Sequence, residues 1–147
     1  GPMSQAPAYD QIIQGLSGMM SITGTDDSGP LRVGFPVCDS VGGLVAAMNI
    51  AAALVGRAST GRGCCLDVSM LEASLSTMGW AVSNYLVSAI PPQPMGDQNA
   101  TAAPSGTFEA ADGPLNIAAT TARDGRLYSF SSISLPPPWG GAPPWPS

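Results

Sequence analysis

The sequence predicts an α/β segment. Three observations carry this: helical spacing of apolar residues in separate stretches, short extended runs between and after them, and two extended runs joined by an Asp-Gly turn near residue 112. The predicted order is helix, extended entry, buried helix, strand, helix and hairpin, an alternation of α and β elements.

In the stretch "PAYDQIIQGLSGMMSITG", Ile12, Leu16 and Met19 or Met20 recur at three- and four-residue spacing. With Pro7 placed where a first helical turn tolerates it, this predicts a helix from about 7 to 20. A polar turn, "TDDSGP", follows. "LRVGFPV" then reads as extended chain leading to Asp39. From there Leu44, Met48, Ala51 and Val55 mark one helix face. The opposite face is mostly Ala and Gly, so the helix is expected to be buried nearly all round. Arg57 near its end complements the helix dipole, and "STGRG" stops it.

"CCLDVS" is a strand candidate. Ser69 with Glu72 three residues later forms a capping-box pattern. Behind it Leu71, Leu75, Met78, Val82 and Tyr85 or Leu86 hold helical period for five turns. A loop rich in Pro follows, and "GTFEA", "ADG" and "PLNIA" predict a β-hairpin. Patterned sequence therefore fills residues 1–119. Residues 120–147 have neither helical nor strand period and are crowded with Pro, Gly, Ser and Trp. Two readings of this tail stand: a Pro-rich ligand segment, or translation out of frame.

Composition narrows the function. The 147 residues correspond to one domain or part of one, 44% apolar and only 10% charged. The usual charged share is about a quarter. Such a chain is expected to bury much surface, against a partner or further sequence. Net charge is −5, with no Lys and no His. A nucleic-acid binder needs a basic stripe, and a Ser-His-Asp or Cys-His device needs a histidine. Cys38, Cys64 and Cys65 have no zinc spacing, and the adjacent pair is expected to be buried as small hydrophobes. No metal is implied. The apolar run "GGLVAAMNIAAALVG" falls short of the roughly 20 residues a bilayer needs, so no membrane contact is expected. The odd cysteine count and the lack of a signal peptide fit a reducing cytoplasm.

Asp39 admits two readings. An Asp before an apolar helix is a preferred N-cap. The same place keeps a carboxylate ionised, through the dipole and free backbone N–H groups, and an ionised carboxylate can attack an activated acyl group. Pattern alone leaves both open.

The runs "AYDQIIQGLSGMMSITG", "RVGFPVCDSVGGLVAAMNIAAALVGRASTGRGCCLDVSMLEASL" and "FEAADGPLNIA" resemble the family III CoA-transferases, the formyl-CoA and carnitine-CoA transferase relatives, over residues 1–119. The resemblance implies that Asp39 attacks a donor thioester, giving a mixed anhydride and then an aspartyl-CoA thioester. It implies coenzyme A as the acyl-CoA substrate, a small carboxylic acid as its partner, and a homodimer for a longer parent chain. Tyr9 would lie at the acyl pocket, its alternative being an aromatic packed at a helix start. Gln98 and Asn99 would lie in a loop approaching the site, or in a plain surface loop. Arg57 and Arg62 would meet CoA phosphates, or simply be solvated at a helix end. Related α-methylacyl-CoA racemases carry His where this chain has Tyr9, 30 positions before Asp39. A phenol of pKa about 10 is a poor base near neutrality. The resemblance also implies that further segments complete the site, so little or no activity is expected of this polypeptide alone.

Overall fold

The computed structural model describes residues 3–98, 104–111, 113–121 and 127–130. Its elements are α1 (Asp10–Leu16), a 3₁₀ turn (Met19–Ile22), α2 (Val37–Thr60), α3 (Met70–Thr77), α4 (Trp80–Ser88) and the strands β1 (Ser105–Ala110), β2 (Gly113–Thr121) and β3 (Leu127–Phe130). They fall into two compact units, divided between Pro94 and Met95.

In the first unit α1 is shorter than its apolar spacing predicted. Tyr9 stands at its N-cap, so Pro7 precedes the helix. At the other end Gly18 takes φ +81°, a left-handed conformation that glycine adopts without a Cβ penalty, and the chain tightens into the 3₁₀ turn. Ile13, Met19 and Cys38 form the core, with Val33, Val37, Met70, Leu71 and Met78 packed around them.

The helix α2 departs from expectation in three ways. It begins at Val37, with Pro36 at the N-cap, so Asp39 is its third residue and not its cap. Its residues that are buried or half-buried are Val37, Cys38, Val41, Gly42, Val45, Ala46 and Ala53. The expected face points the other way: Leu44, Met48 and Val55 are 67%, 71% and 74% exposed. Both faces are apolar, so periodicity could not choose between them. Gly42 lies against Met70 of α3: a Cβ added there would meet Met70 Cγ at 3.6 Å, an ordinary contact distance. Third, its 24 residues make it long and apolar enough to cross a membrane by length and composition, correcting the shorter estimate. Asn49, the polar interruption, donates to the Val45 carbonyl at 2.9 Å. Gly61, at φ +66°, ends the helix, its N–H donating to the Arg57 carbonyl.

Residues 62–69 are irregular, not a strand. A strand needs a ladder partner, and among the described residues none lies beside them. Cys64 and Cys65 are accordingly exposed, against expectation, while Cys38 is fully buried. Ser69 caps α3 as predicted, its Oγ accepting the Glu72 N–H at 3.2 Å. The five-turn helix predicted behind it is two helices. Gly79 at φ +52° and ψ −116° interrupts it, leaving Trp80 exposed at the start of α4.

In the second unit β1 and β2 form the predicted antiparallel hairpin, with Phe108 opposite Leu115. The strand β3 pairs antiparallel with Ala118–Thr121, which adds regular structure beyond residue 119. Residues 131–147 of the Pro/Trp-rich tail lie outside the described residues.

Candidate active site

The site is built where α1 meets the start of α2. The first amides of a helix have no intrahelical acceptor and need one from elsewhere. Here the acceptor comes from 28 residues upstream: Asp10 Oδ1 accepts the Cys38 N–H at 2.8 Å. The other oxygen, Oδ2, accepts from Gln14 Nε2 at 2.7 Å, one helical turn along α1. Gln14 Oε1 in turn accepts the Val33 N–H at 2.8 Å. Gln14 is fully buried, and every buried side-chain polar atom among the described residues has a partner. One polar chain thus ties α1 to both the entry segment and the first turn of α2.

This network places Tyr9 and Asp39 at one end of the unit, each one residue from the Asp10–Cys38 hydrogen bond. Tyr9 is 73% exposed, so its ring is not packed at the helix start and faces solvent. Asp39 is exposed, and its carboxylate has no hydrogen-bond partner among the described residues. The capping reading of Asp39 is therefore replaced: Asp10 caps the helix, and Asp39 stands free in its first turn.

Within this unit, Arg57 and Arg62 are not gathered at this end. Arg57 lies eighteen residues beyond Asp39 on the same helix, about 27 Å away at 1.5 Å per residue. Arg62 follows the helix end, its N–H donating to Thr60 Oγ1 at 3.3 Å. Both are exposed. Gln98 belongs to the second unit, where its N–H donates to the Met95 carbonyl at 3.0 Å. Asn99 lies outside the described residues. Neither Gln14 nor Asp10 stands among the sequence-predicted site residues. The four-residue spacing of "DQIIQ" was the available signal, but it does not reveal Val33 or Cys38 as partners.

An apolar groove of about 510 Å³ runs elsewhere in the same unit, lined by Ser17, Gly18, Leu75, Met78, Tyr85 and Leu86 among others. None of the predicted site residues lines it.

Residues 1–129 match the family model described as CoA-transferase family III. The chain belongs to CoA-transferase family III. Among family members, the acetyl-CoA:oxalate CoA-transferase of Acetobacter aceti is 37% identical over 118 residues, covering 80% of this chain and 30% of that protein. The succinate–glutarate CoA-transferase of Agrobacterium fabrum is 33% identical over 133 residues, covering 90% of this chain and 33% of that protein. The crystal structure of a CAIB/BAIF family protein from Brucella suis superposes with a TM-score of 0.74 at 34% identity, over 80% of this chain and 31% of that one. This family III chain therefore spans about a third of the length of the relatives it matches, and its fold is a segment of theirs. The uncovered apolar side of α2 is consistent with that partial coverage. The family match also extends ten residues past residue 119, through most of β3.

Proposed function

We propose that this chain is the nucleophile-bearing segment of an enzyme that transfers CoA from an acyl-CoA thioester to a free carboxylic acid, with Asp39 as the nucleophile. The observation that carries the reading is the Asp39 carboxylate, exposed and without a hydrogen-bond partner among the described residues, in the first turn of a helix capped by another residue. The relatives' names supply the substrate classes: acetyl- or succinyl-CoA as donor, and dicarboxylates such as oxalate or glutarate as acceptor.

The chemistry balances without a redox partner. An oxygen of Asp39 attacks the thioester carbonyl, the C–S bond breaks, and CoA leaves as thiolate. The thiolate attacks the Asp39 carbonyl of the resulting anhydride, releasing the donor acid and leaving an aspartyl-CoA thioester. The acceptor carboxylate attacks that thioester and again expels the thiolate. Attack of the thiolate on the acceptor's carbonyl then frees Asp39 and the new acyl-CoA. A carboxylate is a weak nucleophile, but each exchange joins groups of similar energy, so positioning and oxyanion stabilisation are what the protein must add. Tyr9, exposed and next in sequence to the Asp10 that caps α2, is assigned to the acyl group. Arg57 and Arg62, far along the helix, are assigned to CoA phosphates of a molecule held against other segments. Gln98 and Asn99 are assigned to substrate contact. We further infer a cytoplasmic enzyme acting as a homodimer in its longer form.

This polypeptide alone is expected to turn over little substrate, because it spans about a third of its relatives. A steady-state assay of the purified chain with succinyl-CoA and a panel of carboxylic acids tests both parts. Turnover abolished by Asp39→Ala would uphold Asp39 and refute the low activity. Turnover that survives Asp39→Ala would refute the assignment of the nucleophile.

A further inference from the structure

We propose that Asp10, braced by Gln14, is a positioning residue that keeps Asp39 available for reaction; this rests on the reading of Asp39 as nucleophile. A helix start attracts any nearby acceptor, and a carboxylate in the first turn is an obvious one. Two carboxylates compete for the start of α2: Asp39 by sequence and Asp10 by tertiary contact. Asp10 holds the Cys38 N–H at 2.8 Å, and the Asp39 carboxylate holds nothing among the described residues.

The brace explains why Asp10 wins. Both Asp10 oxygens are engaged, one by Cys38 and one by Gln14 Nε2, which fixes the plane of the carboxylate. The Gln14 amide has only one workable orientation. Turned over, its oxygen would face Asp10 Oδ2 and its nitrogen would face the Val33 N–H, like against like at both ends. Gln14 is fully buried, so water cannot repair such a reversal. Cap and nucleophile are thereby divided between two residues, and the cap is supplied by the element that also carries Tyr9. Asp10 touches no substrate in this scheme; it acts through the helix start.

The test uses the full chain and two readouts that need no turnover. Deuterium exchange at the Cys38 amide reports the cap. Labelling of Asp39 by a water-soluble carbodiimide and glycine ethyl ester, located by mass spectrometry, reports how free its carboxylate is. In Asp10→Ala the Cys38 amide should exchange about tenfold faster or more, and Asp39 labelling should slow about threefold as its carboxylate turns to the freed N–H. Asp10→Asn retains an acceptor for Cys38 and should restore most of the labelling. Loss of stability alone would speed Asp39 labelling or leave it unchanged, so the direction separates positioning from scaffolding. If Asp10→Ala loses its helical circular dichroism, Gln14→Ala carries the test, with the same directions at smaller size. Unchanged Cys38 exchange, or faster exchange with Asp39 labelling unslowed, overturns the proposal. The reading of Asp39 as nucleophile fails separately, if wild-type chain exposed to succinyl-CoA and hydroxylamine acquires no hydroxamate at Asp39.

Discussion

Replacing Gln14 with Ala should destabilise the first unit well beyond an average substitution. Gln14 is fully buried, and its amide bridges the Asp10 carboxylate and the Val33 N–H at 2.7 and 2.8 Å. Truncation leaves the partly buried Val33 N–H without its acceptor, a loss of about 1–3 kcal/mol. It also empties the space of a methylene and an amide group, for about 1 kcal/mol more. The Asp10 oxygen is half-buried and can recover a water, so its loss is small. The expected total is about 2–4 kcal/mol, a large part of the roughly 5–15 kcal/mol that holds a domain folded. Urea unfolding followed by circular dichroism would show it as a lower midpoint at unchanged slope. Gln14→Glu provides a check on the cause. It sets a second carboxylate against Asp10, so its deficit should exceed that of Gln14→Ala at neutral pH and shrink on acidification, as one carboxyl takes a proton. A deficit below about 1 kcal/mol for Gln14→Ala, or a Gln14→Glu deficit that does not change with pH, would refute the reasoning.

Ser69→Ala removes the side-chain acceptor for the Glu72 N–H and should cost about 1 kcal/mol, read from the same unfolding curves. The uncovered apolar side of α2, with Leu44, Met48, Leu54 and Val55 exposed, should make the isolated chain associate; light scattering that finds a monodisperse monomer at micromolar concentration would contradict this. In the second unit, hydrogen bonds from Thr107 hold the Asp97 carboxyl below its ordinary value of 3.8. A lowered folded value gives stabilisation that is present above the unfolded value and lost as pH falls through the folded one, so the protection of the Thr107 amide, taken against its intrinsic exchange rate at each pH, should fall only below pH 3.8. A Thr107 amide that exchanges at its intrinsic, unprotected rate at pH 6 would exclude the 2.9 Å bond.

What the sequence made legible was local. Ser69 needs only its own N–H neighbours three residues on to act as a cap, and an Asp-Gly turn between two apolar runs specifies a hairpin within a few residues. The family pattern was legible too, because it resides in short runs such as "PVCDSVGG" and "DVSMLEA". What failed was decided at long range. The face of α2 that packs is the one carrying Cys38, Val41, Gly42 and Val45, a choice that a helix apolar on both faces does not record in its period. The "CCLDVS" run has strand composition, but among the described residues no neighbour pairs with it. The cap on α2 came from Asp10, 28 residues away, and no helix-start rule applied to Asp39 could have found it. Its replacement as cap is also what sharpened the chemical assignment, since a carboxylate busy at the helix start would have been a poorer candidate for attack.

The central claim is that Asp39 is a reactive carboxylate toward acyl-CoA thioesters. The most direct measurement is to incubate the chain with succinyl-CoA, quench with hydroxylamine, and locate hydroxamate by peptide mass spectrometry. Any aspartyl anhydride or thioester becomes a stable hydroxamate, so slow chemistry accumulates a signal that steady-state turnover would miss. The account predicts a hydroxamate at Asp39 that requires succinyl-CoA, with Asp10 unmodified. No hydroxamate at Asp39, or one at another carboxylate that persists in Asp39→Ala, would contradict it.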